Sequence, residues 1–254
     1  MRVENFNYHF KKRDPKDVAL TLGVIYNDLG YSKIDKAKIS KLYNVTYDAH
    51  DKNYINKFIN AVETLDTKKQ NHINLLCEQL NKQWQDYKNE YLDIINRVLD
   101  IKIDNQIVNH TYCYLHSLPI NEISLNDNII YLDYNKSVEE VFTNFIIMLT
   151  KLLLITRWNY VNNWNFNKEF DVKNRVWMFA EIAIDAIFCN SDLNNVCKNV
   201  SYKYLYSLNI KGINVMEYFR KLYKTKPLDD FFTEVYLFVH ENHKALLHFK
   251  NYLY

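Results

Sequence analysis

Apolar residues recur at three- and four-residue spacing over most of this chain, the period of an α-helix with one face turned to a core. The longest run lies between Thr67 and about Leu99. There Ile73, Leu76, Leu80, Trp84, Tyr87, Tyr91 and Ile94 form one stripe. Ahead of it, Asp14 to Asn27 reads as a helix. Asp14 caps it, Pro15 fits a first turn that needs no N–H from it, and Val18, Leu20, Leu22 and Ile25 supply apolar positions. Residues 34–65 hold two further amphipathic stretches, one with Ile39, Leu42 and Tyr43, the other with Ile55, Phe58, Ile59 and Val62. Nothing in this first third requires a strand.

The texture changes after Leu99. VNHTYCYLH (108–116) alternates with period two and NIIYLDY (128–134) makes a second β-like run, with PINEISLND between them reading as a loop. Ser137 and Glu140 then form an S-x-x-E capping box, which starts a helix that runs to about Trp158. Within it, TNFIIMLTKLLLI (143–155) is apolar almost all round, with Lys151 alone in its middle. Residues 159–172 are a polar, aromatic connection, VWMFAEIAIDAIF (176–188) is a second apolar helix, and 213–223 and 229–249 read as two more. The pattern predicts an α+β fold, predominantly helical, with a small sheet.

Composition sharpens this. Only 3 Gly and 3 Pro punctuate 254 residues, which favours long helices and leaves no glycine loop to cradle phosphate. A formal net charge of +2 argues against nucleic acid and anionic membrane as partners. The start lacks a signal-peptide h-region, and TNFIIMLTKLLLI is too short to span a bilayer. Cys77, Cys113, Cys189 and Cys197 form no CxxC pair, the pattern of reduced thiols in a cytoplasm.

Several groups of residues invite a chemical reading. VHENHKALLH (239–248) approaches the zinc motif HExxH, in which two His one turn apart share a helix face and the Glu activates water. Residue 244, where the second His belongs, is Lys, which leaves His240 and His243 without an evident third ligand. His110, Cys113 and His116 lie on an expected strand, where positions 110 and 116 share a face and 113 points the other way, poor geometry for a shared ion. Cys113 with a His is a nucleophile pair on paper only. Tyr and Trp interleaved with Lys at 82–91 make the apolar stripe of a long helix as readily as a base-stacking surface. The two apolar helices each carry ionisable groups among apolar neighbours, Lys151 in one and Glu181 with Asp185 in the other. Buried charges are normally paired. Either Lys151 meets Glu181 or Asp185, or it snorkels to solvent along a helix edge.

In order along the chain, LHSLPINEISL (115–125), NIIYLDYNKSVEEVF (128–142), Trp158, VWMFAEIAIDAIF (176–188) and PLDDFFTEVYLFVHENHKALLHF (227–249) resemble a family of zincin-like metallopeptidase proteins of low-GC bacteria. In that family a strand and loop precede a polar edge strand. A helix carrying HExxH and a downstream Trp follows, then a second helix with W-x-x-S-E. The resemblance covers about 94–254 and implies a zincin-like core there, with 1–93 as an N-terminal helical region outside it. Counted back from Trp158, HExxH falls on Ile147, Met148, Leu149, Thr150 and Lys151. One ligand is thus replaced by Ile147, the general base by Met148 and the other ligand by Lys151, while Glu181 keeps the position of the third ligand. Zinc needs three protein ligands and a water, and neither Ile nor Met offers a nitrogen or oxygen.

The resemblance therefore implies a protein with an erased metal site, no cofactor and no catalytic residue. An ammonium at 151 would replace the lost dication beside Glu181. Function would rest on binding a protein or peptide in a cleft bordered by Trp158, Trp177 and Asp185. Two other classes remain open on the sequence: an active hydrolase using Cys113 or His240 and His243, and a nucleic-acid or host-factor binding protein of a mobile element, with the N-terminal helices as its contact surface.

Overall fold

A computed structural model of the chain describes residues 10–27, 33–46, 48, 51, 53–100, 111–125, 127–162, 175–196 and 208–250. The first nine residues, His110 with the start of the expected strand at 108–110, residues 163–172 of the expected connection, and Cys197 lie outside them. The described elements are β1 (Phe10–Lys12), α1 (Pro15–Asn27), α2 (Lys33–Tyr43), α3 (Tyr54–Leu99), β2 (Tyr112–His116), β3 (Glu122–Ser124) and β4 (Ile129–Asp133). They continue with α4 (Val138–Asn162), α5 (Arg175–Asn190), α6 (Leu193–Val196), β5 (Asn209–Ile210), β6 (Ile213–Asn214), α7 (Val215–Thr225) and α8 (Leu228–Lys250). The fold is mostly helical with a small mixed sheet.

Helix α3 begins at Tyr54 and not near Thr67. No Gly or Pro interrupts 54–99, so the stripe of Phe58 and Val62 runs on into that of Ile73, Leu76 and Leu80. Its 46 residues span roughly 69 Å at 1.5 Å each. It ends where Asp100 adopts φ 47°, ψ 46° and its N–H bonds back to Asn96 O, a left-handed cap that a short polar side chain tolerates. The position between 93 and 94 falls inside this unbroken helix.

Two strands depart from the sequence reading. Strand β1 lies in the first third, where none was expected, and β3 lies within the stretch expected to be a loop. Each is three residues long, too short for alternation to register, and each is defined by its partner. The main sheet runs β1-β2-β4-β3, with β1 and β4 parallel to β2 and β3 antiparallel to β4 at the edge. Its inner face, with Cys113, Leu115, Ile123, Ile130 and Leu132, is buried in the core that α3 and α4 share.

Packing explains the apolar helix. α4 is enclosed by the sheet and α3 on one side and by α5 on another, so apolar residues recur around its circumference. Trp84, Tyr91 and Phe145 meet edge to face at this contact, with Trp84 5.8 Å from Tyr91 and 5.1 Å from Phe145 between ring centroids. The capping box forms as the sequence predicts: Glu140 N donates to Ser137 Oγ at 3.2 Å and Ser137 N to Glu140 Oε2 at 3.1 Å. A second apolar cluster joins α1, α2 and the first part of α3 through Val18, Leu22, Ile39, Tyr43, Phe58 and Val62.

Candidate functional site

Residues 147, 148 and 151 share one face of α4, because positions one turn apart on a helix lie together. Ile147 and Met148 are each 7% exposed, and Lys151 is 1% exposed. Glu181, at 4%, projects from α5 toward the same place. Lys151 Nζ donates to Glu181 Oε1 at 2.5 Å. The ammonium also sits 4.5 Å from the centroid of the Trp177 ring, whose π face adds a second attraction to the cation. Lys151 therefore does not snorkel. Of its two candidate partners it takes Glu181.

Asp185, one turn further on α5, is held by a residue the sequence reading missed. Arg220 of α7 grips it with both forks, Nε to Oδ2 at 2.7 Å and Nη2 to Oδ1 at 2.8 Å. Planar guanidinium matches planar carboxylate, so the pair is fixed in direction as well as distance. Trp158 is buried against Phe179 at 5.0 Å, Tyr236 at 5.4 Å and, edge on, Phe232 at 6.4 Å. Of the three residues expected to border a cleft, Trp158 and Asp185 are buried and Trp177 is half-buried.

The other candidates are dispersed. Cys113 faces the inner side of the sheet, and burial pushes its thiol well above the ordinary range, away from the thiolate a nucleophile needs. His116, three residues on, faces the opposite side. Its Nε2 donates to Ile120 O at 2.9 Å, and burial, with the nearby Arg13 guanidinium, pushes its pKa down to about 3. His240 Nδ1 accepts from Arg175 Nη1 at 2.6 Å. Between His240 and His243, Asn242 leaves helical geometry at φ −111°, ψ 16°, so the two His do not sit on one regular helical turn. Among the described residues no group of three or more His, Cys, Asp or Glu is gathered as a metal would require. Nor is any described helix long and apolar enough to cross a membrane.

A second polar centre lies where the sheet meets α2 and α3. Tyr43 Oη and Ser117 Oγ are 2.6 Å apart, and Tyr134 Oη donates to Asp66 Oδ1 at 2.6 Å. Lys12 Nζ lies 3.4 Å from Asp66 Oδ2. Lys69 Nζ donates to Asn135 Oδ1 at 2.5 Å, and Asn135 Nδ2 donates to Ser117 O and Asp133 Oδ1. Burial raises the pKa of Tyr43, Tyr134 and Asp133, so these groups sit where ionisation is discouraged. Set against protein-family models, curated proteins and solved structures, the chain matches none of them.

Proposed function

We propose that this chain is a catalytically inactive metallopeptidase-like protein with a zincin-like core, which acts in the cytoplasm by binding a protein or peptide. The observation that carries the reading is the contact between Lys151 and Glu181. The resemblance puts both positions in one metal-ligand set although 30 residues separate them, and their side chains meet at 2.5 Å inside the core. A buried carboxylate that lost its dication needs another positive charge, and Lys151 supplies it. The order of elements agrees in part: β2 and its loop, β4, α4 and α5 follow one another as the resemblance implies, but β4, matched to the family's edge strand, lies inside the sheet and β3 takes the edge. Strand β3 forms the sheet edge, the position at which an extended peptide adds as a further strand.

The test is to rebuild the site. The triple variant Ile147→His, Met148→Glu, Lys151→His presents two imidazoles beside Glu181, and it is expected to bind about one zinc per chain by elemental analysis. Adding Glu181→Ala should lower that occupancy. A triple variant that folds, by circular dichroism, yet stays free of zinc overturns the zincin-like core. For binding, peptides selected from a random library should protect the backbone amides of β3 from hydrogen exchange. Selected peptides that protect other elements only, or a library that yields none, overturn the edge-strand mode.

A further inference from the structure

The second apolar cluster is built from residues between Val18 and Leu65, with two exceptions among the described residues. Leu118 sits fully within it at 0% exposure, and Ile120 packs against it half-buried. Both belong to the loop between β2 and β3. This loop is tied on each side of Leu118: Ser117 Oγ meets Tyr43 Oη of α2 at 2.6 Å, and Ile120 O accepts from His116 Nε2 at 2.9 Å. At its far end Asn121 Oδ1 accepts from Asp133 N at 3.1 Å, immediately before β3 begins at Glu122. β3 has three residues and pairs with β4, and it also packs against α4. So short a strand holds little pairing energy of its own, and its placement depends on what fixes its ends.

We infer that α1, α2 and the first part of α3 act as a clamp that sets the position of the edge strand β3 through the loop at 117–121. The core contributes Leu118 as a plug, the helical unit contributes the socket, and Tyr43 latches the Ser117 side chain beside it. Whatever tightens or loosens the helical unit then changes the order of β3, and by linkage whatever orders β3 stabilises the helical unit. This gives α1, α2 and the first part of α3 a role in controlling the sheet edge. It rests on contacts within the chain and not on the reading of Lys151 and Glu181, so a rebuilt site that fails to bind zinc leaves it untouched.

The test is amide hydrogen exchange on the full chain, with a substitution placed outside both the loop and β3. Ile39→Ala removes apolar volume from α2 inside the cluster. It is expected to raise exchange at Glu122, Ile123 and Ser124 about tenfold while α7 and α8 keep their protection. Tyr43→Phe, a milder change that removes the latch and keeps the ring, should raise exchange in the same segment by about threefold. Faster exchange confined to α1 and α2 overturns the inference, because the helices would then loosen without β3. A uniform rise across the whole chain overturns it equally, since that is ordinary loss of global stability.

Discussion

Two of the polar centres buried among the described residues are built on opposite plans. Between α4 and α5, Lys151 and Glu181 stand together among apolar side chains, with the face of Trp177 as further company for the cation. At the carboxyl end of the sheet, Tyr43, Ser117, Tyr134, Asp66, Asn135 and Asp133 share the load with Lys12 and Lys69 over several hydrogen bonds. In the first centre the loss of Lys151 takes the opposite charge from a buried carboxylate. In the second the loss of one hydroxyl leaves neighbours that still carry most of the network. Losing one member of a buried charge pair therefore costs more than losing one hydroxyl of a shared network.

The sharpest way to break this contrast is at Lys151. Lys151→Met should cost about 3–5 kcal/mol in urea unfolding, because Glu181 is left buried without its cation. Lys151→Met with Glu181→Leu should recover most of that loss, since an apolar pair of similar volume carries no desolvation penalty. A double variant no more stable than the single would show that the pair does not act as a unit.

The distributed centre should reveal itself through pH at its margin. His116 has a folded pKa of about 3, below its ordinary 6.5, so between those values the unfolded chain binds the proton and the native chain does not. Stability from this residue is complete above pH 6.5 and falls as the pH is lowered, by roughly 1.4 kcal/mol per unit, or about 2 kcal/mol by pH 5. His116→Gln should flatten that part of the stability curve, and an unchanged slope would remove His116 as its source. Tyr134→Phe takes one donor from Asp66 and leaves Lys12 in place, so a cost of about 1–2 kcal/mol is expected by chemical denaturation. Tyr43→Phe comes last, at about 1 kcal/mol, since Ser117 loses one neutral partner. If Tyr134→Phe or Tyr43→Phe proved as damaging as Lys151→Met, the distinction between the two plans would collapse.

What was legible in the sequence follows the range of the interactions. The capping box of Ser137 and Glu140 was readable because both partners lie within one turn. The apolar helices were readable because their burial is written in every turn. Lys151 was legible as a charge among apolar residues, but its partner was not: pairing with Glu181, pairing with Asp185 and snorkelling all fitted the sequence, and the packing of α5 on α4 decides for Glu181. Arg220 was missed because nothing local distinguishes it from other arginines: its meeting with Asp185 depends on how α7 packs on α5. Strands β1 and β3 were missed because three residues carry no period, and their identity lies in β2 and β4. The start of α3 was placed too late because its first turns face a different cluster from its last, and the apolar stripe changes partner along the way.

The parallel pairing of β1 with β2 has a consequence for how the chain is made. Phe10 lies beside Cys113, so β1 waits for about 100 further residues, roughly 5–20 s of synthesis, before its partner exists. During that interval α1, α2 and the first part of α3 have one another as neighbours and helices form in microseconds, while the rest of α3 waits for α4. The nascent chain thus carries a helical unit that still lacks Leu118, with β1 unpaired beside it. The sheet closes only when β2 emerges, and Leu118 follows a few residues later to seat in a socket already waiting for it.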